Sequence, residues 1–119
     1  MIRFRRNLEC FLKEAGIEWG HISHSRKNGF DIVIVRENGK DAMFFIHDQA
    51  ESVEINIYTN AKGNRLELLE KINKLNLEYS QMTLCLKDDK IILRTWGKFD
   101  CAELYRIYQK GLGVLKSFE

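Results

Sequence analysis

The sequence predicts an α+β domain, an antiparallel sheet packed against helices in the order α-β-β-β-α-β-β-α. Three observations predict it. Apolar residues alternate with period two in short runs punctuated by the turn dipeptides Asn28-Gly29 and Asn38-Gly39. Two segments with helical spacing open on side chains suited to capping, Asn64 and Asp100. The chain has no proline and no Ser/Gly-rich tract, so nothing marks a linker, and residues 1–119 read as a single domain.

Taken in order, Leu8, Phe11, Leu12 and Ala15 recur at helical spacing, with Asn7 as the expected N-cap and Gly16 as the stop. The stretch 17–25, around Trp19 and Ile22, reads ambiguously as a linking strand. Phe30, Ile32 and Ile34 then alternate with Asp31, Val33 and Val35. Residues 42–47 are apolar on both faces, as a central strand would be. Val53, Ile55 and Ile57 alternate with Glu54, Asn56 and Tyr58, the pattern of a half-buried strand.

In the second half Asn64 and Glu67 have capping-box spacing, and Leu66, Leu69, Ile72 and Leu75 form an expected apolar stripe. Met82, Leu84 and Leu86, then Ile91 and Leu93, describe a hairpin turning at Asp88-Asp89. Asp100 and Glu103 repeat the capping-box spacing before a last helix lined by Leu104, Tyr108, Leu112 and Leu115, with Cys101 and Tyr105 beside them. Gly111 and Gly113 each weaken that helix by up to about 1 kcal/mol relative to alanine, so its end is expected to fray or to serve as a contact surface.

Composition excludes several classes. With 45% hydrophobic and 30% charged residues the chain is globular, and at this length roughly two-thirds of the unfolded surface is buried, enough for one core. A formal charge of +2 is too small to imply a polyanion partner; the one basic cluster is Arg3, Arg5 and Arg6, read as a solvated helix start. Cys10, Cys85 and Cys101 are odd in number and far apart, which reads as buried thiols in a reducing cytoplasm. Asn7, Glu9, Lys13 and Glu14 interrupt any apolar run near the start, so neither a signal peptide nor a membrane span is expected and the location is taken as cytoplasmic.

No catalytic set emerges, and the expectation is a protein that is not an enzyme. The motifs GxGxxG, GxxxxGK[ST], GxSxG and HExxH are absent. His21 and His24 at i, i+3 point to opposite faces of a strand, and only His47-Asp48 offers further ligands, so no metal or other cofactor is expected. Asp88-Asp89 reads as turn chemistry rather than as a carboxylate pair.

Two binding classes remain. A nucleic-acid binder would use Arg3, Arg5, Arg6, Arg94 and Lys98 around the aromatics, but the RNP1 pattern is absent and Arg94-Thr95-Trp96-Gly97-Lys98-Phe99 is the nearest approach to it. Protein binding fits better, because the alternating strands give the sheet apolar residues on both faces while helices can cover one. The expected partner-binding residues, on the sheet and last helix, are Phe44, Tyr58, Trp96, Phe99 and Tyr105.

The element order, together with Ile72, Asn73, Leu75 and Asn76, the strand from Met82 to Leu86, the Asp88-Asp89 turn and the strand from Ile91 to Leu93, resembles the YbjN family, whose fold is like that of type III secretion chaperones. The possible strand within residues 17–25 is a departure that would add a hairpin to the family's three-stranded first half. The resemblance implies a non-enzymatic, chaperone-like or regulatory protein, often a homodimer, that binds other proteins through apolar patches and strand edges.

Overall fold

In a computed structural model, which describes residues 2–119, the chain forms one six-stranded antiparallel sheet and three α-helices. The elements are α1 (Ile2–Glu14), β1 (Ile22–Lys27), β2 (Phe30–Glu37), β3 (Lys40–Ile46), β4 (Val53–Asn60), α2 (Arg65–Glu78), β5 (Met82–Lys87), β6 (Lys90–Gly97) and α3 (Cys101–Leu115), with 3₁₀ turns at Trp19–His21 and Lys116–Phe118. The expected α+β class and order hold, and β1 is a further strand ahead of the meander. Strand order across the sheet is β1-β2-β3-β4-β6-β5, so β1 and β5 are its edges.

Local chemistry accounts for the turns. Asn28 and Gly29 both adopt positive φ, 54° and 82°, as do Asn38 and Gly39, 53° and 74°. That geometry matches the twist of the flanking strands and fixes Lys27 opposite Phe30 and Glu37 opposite Lys40. Asn64 Oδ1 accepts from the N–H groups of Leu66 and Glu67, and Asp100 Oδ1 from those of Ala102 and Glu103. Glu103 turns back two residues further than a capping box requires, accepting from the Lys98 N–H at 3.0 Å.

The start of α1 differs from expectation. The helix runs from Ile2, so Asn7 lies in its interior instead of capping it, and Arg5 is buried against Glu9 at 2.6 Å rather than solvated. Four residues apart, the two charges share one side of the helix, which lets arginine lie beneath it with its charge matched. Gly16 does end the helix. At φ 111° its N–H reaches the Lys13 carbonyl while Ile17 N–H reaches that of Leu12, the paired bonds of a Schellman motif.

All three helices serve the same face of the sheet. On that side Val33, Val35, Ala42, Phe44, Ile46, Val53, Ile55, Ile57, Ile91 and Leu93 form one core with Leu8 and Leu12 of α1, Ile72 of α2 and Leu104, Tyr108 and Leu115 of α3. α3 approaches closely at Gly111, where a Cβ would meet Ile57 Cδ1 at 2.8 Å. This glycine makes room for β4, and the helix end is packed rather than frayed. α2 packs mainly on β5 and turns Leu68, Ile72 and Leu75 inward. Leu66 and Leu69, expected in its buried stripe, are exposed with Leu77, because leucines nearly encircle this helix and the edge strand selects the side.

Candidate partner-binding face

The opposite face of the sheet carries no helix. Strand register sets its occupants, since residues paired across neighbouring strands share a face. Ser25, Ile32, Phe45, Glu54 and Trp96 form one row, Ser23, Ile34, Met43, Asn56, Arg94 and Thr83 the next, and Arg36, Asp41, Tyr58, Ile92 and Cys85 a third. An antiparallel sheet with one solvated face ordinarily turns polar residues to it. Here Phe30, Ile32, Ile34, Met43, Phe45, Tyr58, Ile92 and Trp96 face outward and the helix-side core does not include them; Trp96 is exposed, Ile32 is buried by its neighbours and the others are half-buried. Phe30 meets Phe45 edge to face at 6.1 Å, so the aromatics are held by one another.

At the middle of this face lies Asn56, 5% exposed beneath its neighbours. Its Nδ2 donates to Glu54 Oε2 at 3.0 Å, and Arg94 lies 3.9 Å from the same carboxylate. Asn56 Oδ1 has no donor among the described residues. A buried carbonyl left so forfeits about 1–3 kcal/mol. At the end of the sheet Trp96, 46% exposed, also lines a cleft of about 680 Å³ between the end of α2 and α3, with Tyr79, Ile107, Arg106 and Lys110.

The five residues expected to bind a partner therefore divide. Tyr58 and Trp96 lie on the open face of adjacent strands, in rows four residues apart. Phe44 does not: it is fully buried beneath α3, 5.8 Å from the Tyr108 ring, because odd and even positions of β3 face opposite ways and its own row is the covered one. Phe99 packs edge to face on Phe4 and Tyr105 on Phe11, which places both in the seam between α1 and α3. The last helix directs its apolar side inward, and among the described residues the large exposed apolar side chains of the helices are Leu66, Leu69 and Leu77 on α2. Sequence reasoning missed the outward row Phe30, Ile32, Ile34 as a site, although its alternation with Val33 and Val35 was the available signal.

Other singled-out groups disperse. Arg94 is on the open face, while Arg5 belongs to α1 on the far side of the sheet, so these cations form no single patch. His24 Nδ1 lies 3.2 Å from Glu9 Oε2, and His47 stacks near Phe30 at 5.0 Å. Cys10 and Cys85 are exposed rather than buried, one on the outer side of α1 and one on the uncovered side of β5. Cys101 is half-buried, and burial pushes its thiol pKa up. Burial, with the Glu37 carboxylate 2.7 Å away, drives the Tyr108 hydroxyl far above its usual range and keeps it a donor.

A two-layer α+β domain with a helix-covered face and an apolar open face is the class this geometry defines. The crystal structure of YbjN from E. coli, a protein put forward as a transcription regulator, has the same fold: it superposes with a TM-score of 0.58 over 95% of this chain and 86% of that one, at 12% identity. The fold is thus YbjN-like, as the local residues implied. No family model matches the sequence, nor does any curated protein. Among the described residues no helix is long and apolar enough to cross a membrane.

Proposed function

We propose that this chain is a non-enzymatic protein-binding module, chaperone-like or regulatory in role, that holds a protein partner on the open face of its sheet and pairs with a second copy through α2. The observation that carries the reading is the sheet face that no helix of the described residues covers, with its apolar row and the exposed Trp96. Half-buried apolar side chains on a face open to solvent become a source of affinity when a partner completes their burial. A polypeptide partner supplies the apolar cover that the face lacks. The YbjN likeness supports a regulatory or binding role, and the absence of catalytic motifs agrees with a role without chemistry. The reading keeps the protein inside the cytoplasm, in line with its free thiols.

The test is capture of a protein from the native lysate by wild type and by the double variant Tyr58→Glu/Trp96→Glu. Both side chains lie outside the helix-side core, so the variant is expected to keep its circular dichroism and melting transition while losing the partner. Undiminished capture by a folded double variant would remove the open face from the reading.

A further inference from the structure

We propose that the outer edge of β1 is a strand-addition site for an extended, acidic segment of the partner polypeptide; this rests on the protein-binding reading above and assigns its point of entry.

The two edges of the sheet are treated differently. On β5 the outward groups of Leu84 are occupied, because Asn76 of α2 donates from Nδ2 to the Leu84 carbonyl at 2.9 Å and accepts the Leu84 N–H on Oδ1 at 2.7 Å. One side-chain amide thus stands where a neighbouring strand would pair, and an added chain cannot run along that edge without displacing it. Among the described residues β1 has no such plug. Its two-residue turn makes Lys27 and Phe30 a hydrogen-bonded pair, so Ser25 and Ser23 also bond inward to β2, and Ile22, His24 and Arg26 present their backbone groups outward. The Ile22 N–H is satisfied by the Trp19 carbonyl. Among the described residues nothing pairs with the Ile22 carbonyl or with either backbone group of His24 and Arg26, and every residue of the strand after Ile22 is exposed.

Charge selects the occupant. Residues 3–27 hold six Lys and Arg against three Glu. Glu9 is already engaged by Arg5 and His24, which leaves Arg6 and Lys13, one turn to either side of Glu9 on α1, without that counter-charge. A second copy of the chain would bring two such basic segments together, the arrangement that protects edges from self-pairing. An acidic strand is attracted instead. Its acidic residues would lie on the α1 side, where Arg26 is already paired with Asp31 at 3.2 Å and the attraction comes from Arg6 and Lys13. Its alternate residues would lie on the open side, where apolar groups would extend the row begun by Ile32 and Ile34. The edge and the open face then become one continuous surface.

The probe is a fluorescein-labelled peptide of about eight residues alternating Glu and Val, a length matched to one added strand, titrated by anisotropy against the full chain; a peptide with Lys for Glu is the control. Saturable binding by the Glu peptide alone is expected, with residues 22–27 gaining protection from hydrogen exchange. Proline at an outward edge position removes a donor without breaking the ladder to β2. His24→Pro is therefore expected to bind at least about fivefold more weakly than His24→Ala, which keeps the N–H. Equal binding of the two peptides, equal affinity of the two variants, or protection on β5 instead of β1 would overturn the proposal, as would β1 protection in a peptide-free dimer, which would make the second copy the occupant. A lysate partner that His24→Pro still captures and Tyr58→Glu/Trp96→Glu does not would sink the edge site and leave the protein-binding reading standing; loss of capture by neither would sink the open face itself.

Discussion

At the scale of single residues, Asn76 shows how far an identity can be from its role. An asparagine near the end of an amphipathic run reads as a helix terminator, since asparagine is a common C-cap. In the structure it lies inside α2, and its amide closes the outward hydrogen bonds of Leu84, a residue eight positions on in the chain and 2% exposed. Nothing in the local sequence announces that partnership, because it depends on how the helix lies along the edge strand. Asn76→Ala leaves an N–H and a carbonyl without partners. The expected cost is about 2 kcal/mol, one for each neutral bond lost at a partly buried site. Chemical denaturation measures it, and light scattering should show the variant associating as the unplugged edge becomes available. A variant as stable and as monodisperse as wild type would mean that water replaces the amide without loss. Phe44 teaches the complementary lesson. Period-two alternation separated the two faces of its strand correctly, but alternation alone does not say which face the helices take.

At the scale of elements, features written in local chemistry were legible: both Asn-Gly turns, the Asn64 and Asp100 caps and the Gly16 stop are recognisable from the residues alone. Features settled by packing were not. Leu66, Leu69, Ile72 and Leu75 satisfy a helical stripe, yet Leu68, Ile72 and Leu75 satisfy another, and only contact with β5 decides between them. The two glycines of α3 divide in the same way. Intrinsic propensity treats them alike. In the folded chain a Cβ at Gly113 would meet nothing within 4 Å, whereas one at Gly111 would stand 2.8 Å from Ile57 Cδ1 and 3.4 Å from Leu93 Cδ2. Gly113→Ala should therefore stabilise by up to about 1 kcal/mol, raising Tm by a few degrees. Gly111→Ala gains the same propensity but overpacks the α3–sheet contact, at a cost of about 1–3 kcal/mol, so its Tm should fall. Parallel calorimetry of the two variants checks the pair, and equal shifts would show that the Ile57 side chain gives way freely.

At the scale of the whole molecule, the proposed function asks one small domain to make two kinds of contact without conflict. The exposed apolar residues of α2 fall at Leu66, Leu69 and Leu77, and with Asn73 they recur at i, i+3, i+7 and i+11 along one side of the helix. That is the spacing of a helix-pairing seam, and a lone asparagine within such a seam fixes register at some expense in stability. α2 lies at the β5 end of the sheet, six strands across from β1, so a pair formed through it leaves the open face and the β1 edge free for a partner. Leu77, 89% exposed, is the residue to change. In an isolated chain a substitution so exposed alters stability by no more than about 0.5 kcal/mol. In the pair it places a carboxylate inside an apolar seam, which is costly unless that charge is matched. On the proposed pairing, wild type is expected to sediment as a dimer and Leu77→Glu as a monomer at the same concentrations, with the variant's melting transition independent of concentration. If wild type sediments only as a monomer, or the variant remains a dimer, the seam is not on α2, and the leucines there become part of the surface offered to the partner.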